Sequence, residues 1–137
     1  HFDVCILSTS NKGFGVMNDI HIWVEANQTS NAQLMIVMSY IILGSHDWRK
    51  GKVTPHLASN DAVYETEKSL VEDLIFQGSL PISQANVRFH KVKEEESRNE
   101  KINQHSKDAD LIMIGFNQRT LNSEFSVHEN ELKSLCN

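Results

Sequence analysis

The chain has 137 residues, 13 lysines and arginines against 18 aspartates and glutamates, and a hydrophobic fraction of 39% that is enough for an apolar core. Since domains usually contain about 100–150 residues, we expect residues 1–137 to form a single domain. The formal net charge of −5, without a long basic cluster, gives no electrostatic basis for binding nucleic acid.

The first third of the chain predicts two strands. Residues 4–7 form a short apolar run, and residues 19–24 alternate polar and apolar side chains. The loop between the two runs is too short for a crossover helix. If the two strands are neighbours, they should therefore be antiparallel.

The apolar run at residues 34–43 is predicted to belong to a buried helix from about Asn31 to Leu43. Periodicity alone does not separate a buried helix from a buried strand. Residues 29–31 suit a helix N-cap, however, and Gly44 stands where a left-handed residue often ends a helix. The run is too short to cross a bilayer, which needs about 20 residues.

Residues 53–58 predict the next strand, which Pro55 should push to a sheet edge or a bulge because proline has no N–H to donate. A second helix follows, with Asn60 or Asp61 as its N-cap and Gly78 at its end. Residues 85–90 alternate again and predict a strand with one buried face.

The rest of the chain predicts a polar helix, a buried strand and a last helix. Residues 93–107 contain one large apolar residue, Ile102, so this helix is either solvated or partly disordered. Residues 111–114 are apolar without alternation, which is typical of an interior strand, and we expect the strand at 53–58, the strand at 85–90 or both beside it. Residues 129–135 could begin a helix.

This alternation of strands and helices predicts the fold class. We expect an α/β domain with three layers and a mostly parallel sheet of about five strands, with an antiparallel pair at its start.

The histidines are the first candidates for chemistry. His21 shares a predicted strand face with Asp19 and Trp23, which we interpret as a structural feature in which Trp23 packs against a helix or a second chain. The others lack the spacing of a zinc site and are expected on the surface: His46, His56, His90, His105 and His128. We therefore expect no metal site.

Catalytic nucleophiles are not indicated. The chain has no Gly-x-Ser-x-Gly motif, and its two cysteines, Cys5 and Cys136, lack Cys-x-x-Cys spacing and are expected to be free thiols in a reducing compartment. We expect that the protein is not an enzyme.

Residues 110–120 resemble the corresponding strand and loop of universal-stress-protein-like domains, in which glycines let the backbone approach ATP phosphates. The resemblance makes Gly115, Asn117 and Arg119 the candidate cofactor-binding residues. Gln118 stands where that family has its second glycine, and a His-Glu pair replaces a later glycine pair. We therefore expect no ATP binding and no cofactor.

A broader resemblance rests on three blocks in order, Asp19-Ile20-His21-Ile22-Trp23, Leu34-Met35-Ile36-Val37 and the segment 106–115. Together they resemble the cytosolic C-terminal domain of the cation-chloride cotransporters, the sodium-potassium-chloride and potassium-chloride symporters. The match runs from about residue 4 to residue 116.

This resemblance implies a regulatory and dimerisation domain with a universal-stress-protein-like fold at the cytoplasmic face of the membrane. Its expected partners are the transmembrane domain of the same polypeptide and, weakly, a second copy of the chain. Ions are bound in the transmembrane bundle of that family, so no transport residue is expected here. Because the chain begins with His1 and not with Met, we expect it to be part of a longer protein.

Overall fold

The structure is a computed structural model and describes residues 12–115. Its elements are, in chain order, β1 (Asp19–Val24), α1 (Thr29–Leu43), β2 (Lys52–Asn60), α2 (Tyr64–Phe76), β3 (Arg88–Val92), α3 (Arg98–Ser106) and β4 (Leu111–Ile114). A single 3₁₀ turn, Gln84–Asn86, precedes β3. The predicted strand at residues 4–7 and the predicted helix at 129–135 lie outside the described residues.

The described strands form one parallel sheet with the order β3-β2-β1-β4. This confirms an α/β fold with a parallel sheet. The predicted fifth strand and the antiparallel pair both depend on residues 4–7. They stay predictions.

The two faces of the sheet are covered unequally. Because side chains alternate along a strand, Ile20, Ile22 and Val24 of β1 point to one face, where α1 and α2 cover them in the main core. His21 and Trp23 point to the other face, which α3 covers. The arrangement is consistent with three layers, one of them a single short helix.

The prediction that Pro55 places its strand at an edge or a bulge is wrong. β2 lies between β1 and β3, and Pro55 is buried opposite Ile22 of β1. β3 pairs with β2 only from His56 onward, so Pro55 lies just before that ladder begins. Its missing donor therefore does not interrupt the pairing with β3.

Two other strand predictions are corrected in position. The strand predicted at 85–90 is β3, Arg88–Val92, because a 3₁₀ turn occupies residues 84–86. β4 was expected beside β2 or β3, but it pairs with β1, and no second neighbour exists among the described strands. Its four residues are all half-buried, so the apolar run does not mark an interior strand within this part of the chain.

The three helices predicted within residues 12–115 are present, but several of their predicted ends differ. α1 begins at Thr29 after Gln28, without a side-chain cap, and Gly44 keeps a right-handed φ of −71°. Gly78 follows α2 with a φ of +76°, as predicted for the residue that ends that helix.

α3 is an ordered helix with a capping box. The Ser97 side chain accepts from the backbone N–H of Glu100, whose carboxylate accepts from the backbone N–H of Ser97. The acidic run at residues 94–96 therefore precedes the helix instead of forming its first turn.

Candidate functional site

The strand order creates one position where open α/β sheets usually bind ligands. The chain passes from β1 outward through β2 to β3 and then returns to the other side of β1 as β4. The crevice between the carboxyl ends of β1 and β4 is therefore the topological switch point. A nucleotide site, if this fold had one, would be expected in this crevice.

Side chains fill this switch point. Glu25, directly after β1, accepts a hydrogen bond from Gln28, and the Gln28 side-chain oxygen accepts from Asn31 Nδ2 at 2.6 Å. Arg98 of α3 closes the other side, with its Nη1 2.9 Å from Glu25 Oε1. A nucleotide phosphate would thus meet a carboxylate that already has a partner.

Gly115 serves close packing in this crevice. A Cβ built on Gly115 would lie 3.2 Å from the Asn31 Cβ and 3.4 Å from the Met35 Cε. The space above this glycine is therefore occupied by α1. Of the three cofactor-binding candidates, Gly115 is at the switch point, and Asn117 and Arg119 lie outside the described residues.

The opposite face of the sheet holds a cluster that we call the histidine stack, made of His21, His56, His90 and His105. The His56 Nε2 lies 3.1 Å from the His21 Nδ1, and the His56 Nδ1 lies 2.9 Å from the His90 Nε2. The His90 ring is tilted against the ring of His105 on α3, with 4.1 Å between centroids. Trp23 lies flat on His56 at 4.6 Å.

Ser106 of α3 joins the stack to Trp23. The Trp23 Nε1 donates to the Ser106 Oγ at 2.9 Å, and the Ser106 Oγ lies 2.8 Å from the His21 Nδ1. Trp23 and Ser106 are 0% and 1% exposed. This confirms that Trp23 packs against a helix.

One hydrogen bond of the cluster has a fixed direction. An indole nitrogen only donates, so the Ser106 Oγ accepts from Trp23. The His21 Nδ1 lies within hydrogen-bond distance of both the Ser106 Oγ and the His56 Nε2, and a ring nitrogen with a single lone pair accepts only one such bond. Each short nitrogen–nitrogen contact accommodates at most one hydrogen, so the donor and the acceptor in each pair depend on the tautomers of the rings.

Burial favours the neutral form of His21, His56 and His90. Loss of hydration, with further repulsion from His21 and His90, lowers the pKa of His56 from 6.5 to about 3. Burial and the nearby His105 lower the pKa of His90 to about 4. Burial also lowers the pKa of His21, although the Asp19 carboxylate opposes this shift.

The expectation that the histidines lie on the surface is wrong for His56, which is 4% exposed, and His90 is half-buried. His46 and His105 are exposed as expected, and His128 lies outside the described residues. Local spacing did not reveal the cluster because its members come from three strands and a helix. Strand register could have found it, since Trp23 pairs with His56 and Ala58 with His90.

Nothing in residues 12–115 provides a metal centre. No group of three or more histidine, cysteine, aspartate or glutamate side chains in this range could hold an ion. Each His56 nitrogen faces a different histidine, so the rings do not converge on one point.

At the amino ends of the strands, opposite the switch point, lies an open depression of about 260 Å³. Its lining carries charges of both signs and comes from the loops before β1 and β2: Val16, Asn18, His46, Asp47, Arg49 and Lys50. This mixture selects no ligand class.

No protein-family model matches this chain, and no curated protein matches it at a significant level. None of the helices between residues 12 and 115 has the length and apolar character that a membrane crossing requires.

Proposed function

We propose that the chain is a non-catalytic regulatory and dimerisation domain of a cation-chloride symporter, attached to the transmembrane domain of the same polypeptide at the cytoplasmic face of the membrane. The support from sequence is the resemblance of the three blocks named above. The support from structure is an α/β fold whose described switch point is filled by protein side chains.

The observation that carries the assembly role is the outer face of α1. This helix contains no charged residue in its 15 positions. Leu34, Val37 and Ile41, which we call the α1 stripe, follow the helical period and are 40%, 49% and 69% exposed. A helix that is apolar on both its inner and outer faces is typical of an element covered by another protein surface.

We assign a second copy of the chain as one occupant of the α1 stripe. A stripe of three residues gives an interface below the ~1,200 Å² typical of stable complexes. The net charge of −5 on each copy opposes contact. The isolated domain should therefore self-associate weakly.

Sedimentation velocity over a hundredfold range of concentration tests this function. We expect the sedimentation coefficient of the wild-type chain to rise with concentration. Ile41→Glu places a charge in the α1 stripe and should abolish the rise. Val63→Glu is the matched control, because Val63 is also exposed but precedes α2, where a negative charge is favourable.

A wild-type chain that stays monomeric at the highest concentration would remove dimerisation from this domain. Equal behaviour of the two glutamate variants would move the interface away from the α1 stripe. The assignment to a symporter has its own test, because a full-length symporter polypeptide must contain membrane-spanning helices in addition to this domain.

A nucleotide-binding sensor of the universal stress type is the second candidate, because the strand order places a switch point beside Gly115. We expect calorimetric titration with ATP and magnesium to give no binding, since Glu25 and Asn31 occupy that crevice. A micromolar dissociation constant would reverse the ranking of the two functions.

A further inference from the structure

α3 is held on the sheet by few buried contacts. Of its nine residues, only Ile102 and Ser106 are buried. The remaining attachments are polar and include the Arg98 guanidinium, which pairs with Glu25 and donates to the Trp23 carbonyl oxygen at 3.3 Å. Elements with few buried apolar contacts open at a lower free energy than the core of a protein.

The histidine stack lies directly beneath this helix and accepts a proton poorly. Both nitrogens of His56 face other rings, at 2.9 Å and 3.1 Å. A protonated His56 donates from both nitrogens, so the His90 Nε2 and the His21 Nδ1 must both accept from it. The single lone pair of the His21 Nδ1 is then no longer available to the Ser106 Oγ, so protonation competes with a bond between the sheet and α3.

The charged groups around the stack add to this resistance. β1 contributes Asp19, which is paired with Lys52 of β2 at 3.2 Å. β3 contributes Arg88, and α3 contributes Lys101 and His105. β4 has no ionisable residue. Positive groups therefore outnumber negative ones around the rings.

We propose that the histidine stack makes the docking of α3 pH-sensitive: protons bind the rings after α3 lifts from the sheet and hold the helix in the undocked state. The device requires only the side chains of residues 21–106 and does not depend on the proposed function. Its output is exposure of Trp23 and of the sheet face beneath α3.

The size of the response follows from linkage. Rings freed into water titrate near their ordinary pKa of 6.5, whereas in the docked state the pKa of His56 is about 3 and that of His90 about 4. The opening constant is the ratio of undocked to docked α3. At one pH unit below 6.5, each ring increases this constant about tenfold relative to neutral rings. The two rings together increase it on the order of 10- to 100-fold between pH 7.5 and pH 5.5.

Hydrogen–deuterium exchange of the whole 137-residue chain tests the proposal. Protection factors, corrected for the intrinsic effect of pH on exchange, are compared for α3 and α1 at pH 7.5 and pH 5.5. We expect the protection of α3 to fall 10- to 100-fold, with α1 more strongly protected than α3 at both pH values. Circular dichroism should show that the domain remains folded.

Glutamine variants separate protonation from packing. His90→Gln provides an amide that can donate to the His56 Nδ1 or accept from it but cannot bind a proton, so it should remove about tenfold of the response. The double variant with His90→Gln and His56→Gln should remove most of the remaining pH response. His46→Gln is the matched control, because the His46 side chain is 81% exposed and is not part of the histidine stack, and it should leave the response unchanged.

Three results would overturn the proposal. α3 protection that is equal at both pH values would show that the stack does not sense protons. Equal protection of α1 and α3 at pH 5.5 would show that only whole-domain unfolding occurs. A full response in His90→Gln would place the proton elsewhere. The first two comparisons use the wild-type chain and hold even if a variant fails to fold.

Discussion

Asp110 ties the loop before β1 to the start of β4. Its two carboxylate oxygens accept backbone hydrogen bonds from Val16 at 3.2 Å, Asn18 at 2.9 Å and Asp19 at 3.1 Å. Burial alone would raise the pKa of Asp110, but these three N–H donors favour the charged form and lower it. The residue is thus a charged, buried anchor for the loop.

Gly15 is required by this anchor, and the chain provides a matched comparison. A Cβ on Gly15 would lie 2.0 Å from the Asp110 Oδ1, whereas a Cβ on Gly13 would meet nothing within 4 Å. Both glycines have left-handed φ values, +55° and +59°. Gly13→Ala should cost about 1–2 kcal/mol from backbone strain, and Gly15→Ala about 1–3 kcal/mol more, because it displaces the carboxylate from its donors.

Urea unfolding of the two alanine variants measures the difference. Similar losses of unfolding free energy would contradict the role given to Asp110, since strain alone would then explain both. The comparison needs no estimate of the absolute stability.

At the scale of elements, the sequence predicted the features that depend on a local pattern of residues, such as the alternation of a strand or the end of a helix. The alternation in β1 is clear because one face meets α1 and α2 while the other carries His21 and Trp23. α2 was predicted with its terminal Gly78, since a left-handed residue after a helical period is a local signal.

Features that depend on which strands are neighbours were not predicted. The missing N–H of Pro55 indicates an edge strand when it is considered alone. A missing donor matters only where an adjacent strand pairs with that residue, however, and β3 begins to pair with β2 one residue later, at His56. The run Leu111–Ile114 resembles an interior strand because its apolar side chains do not alternate. Its one described neighbour, β1, is set by the strand order and not by the run itself.

The candidate site was missed for the same reason. Asp19, His21 and Trp23 were grouped correctly, because strand alternation predicts a shared face. His56 and His90 join them only through the parallel register of β1, β2 and β3. No spacing along the chain encodes that register, so the cluster becomes visible only when the sheet is assembled.

At the scale of the molecule, the two sides of the sheet have different kinds of stability. The side under α1 and α2 is an apolar core whose members carry no titratable side chain. The side under α3 is built from Trp23, Ser106 and imidazole rings. On this side, hydrogen bonds between uncharged side chains take much of the place of apolar contacts. The stability that these hydrogen bonds provide depends on the protonation state of the imidazole rings.

The free energy of unfolding should therefore fall with pH in two steps. His56 and His90 have folded-state pKa values of about 3 and about 4, below the 6.5 of an unfolded chain. Below about pH 6.5 the unfolded state thus binds more protons, and stability falls as the pH falls toward those lower values. Between pH 7.5 and pH 5.5 we expect a loss of roughly 1–3 kcal/mol. The lowered pKa of Asp110 adds a second loss, which begins below the ordinary pKa of about 3.9 for an aspartate and is complete below the folded value.

Urea unfolding at intervals from pH 7.5 to pH 3 measures both steps. His46→Gln should follow the wild-type curve, because His46 is exposed, whereas His90→Gln should reduce the first step and leave the second. A curve that is flat down to about pH 4 and then falls would assign the acid sensitivity to carboxylates such as Asp110 and would contradict the lowered pKa values of His56 and His90.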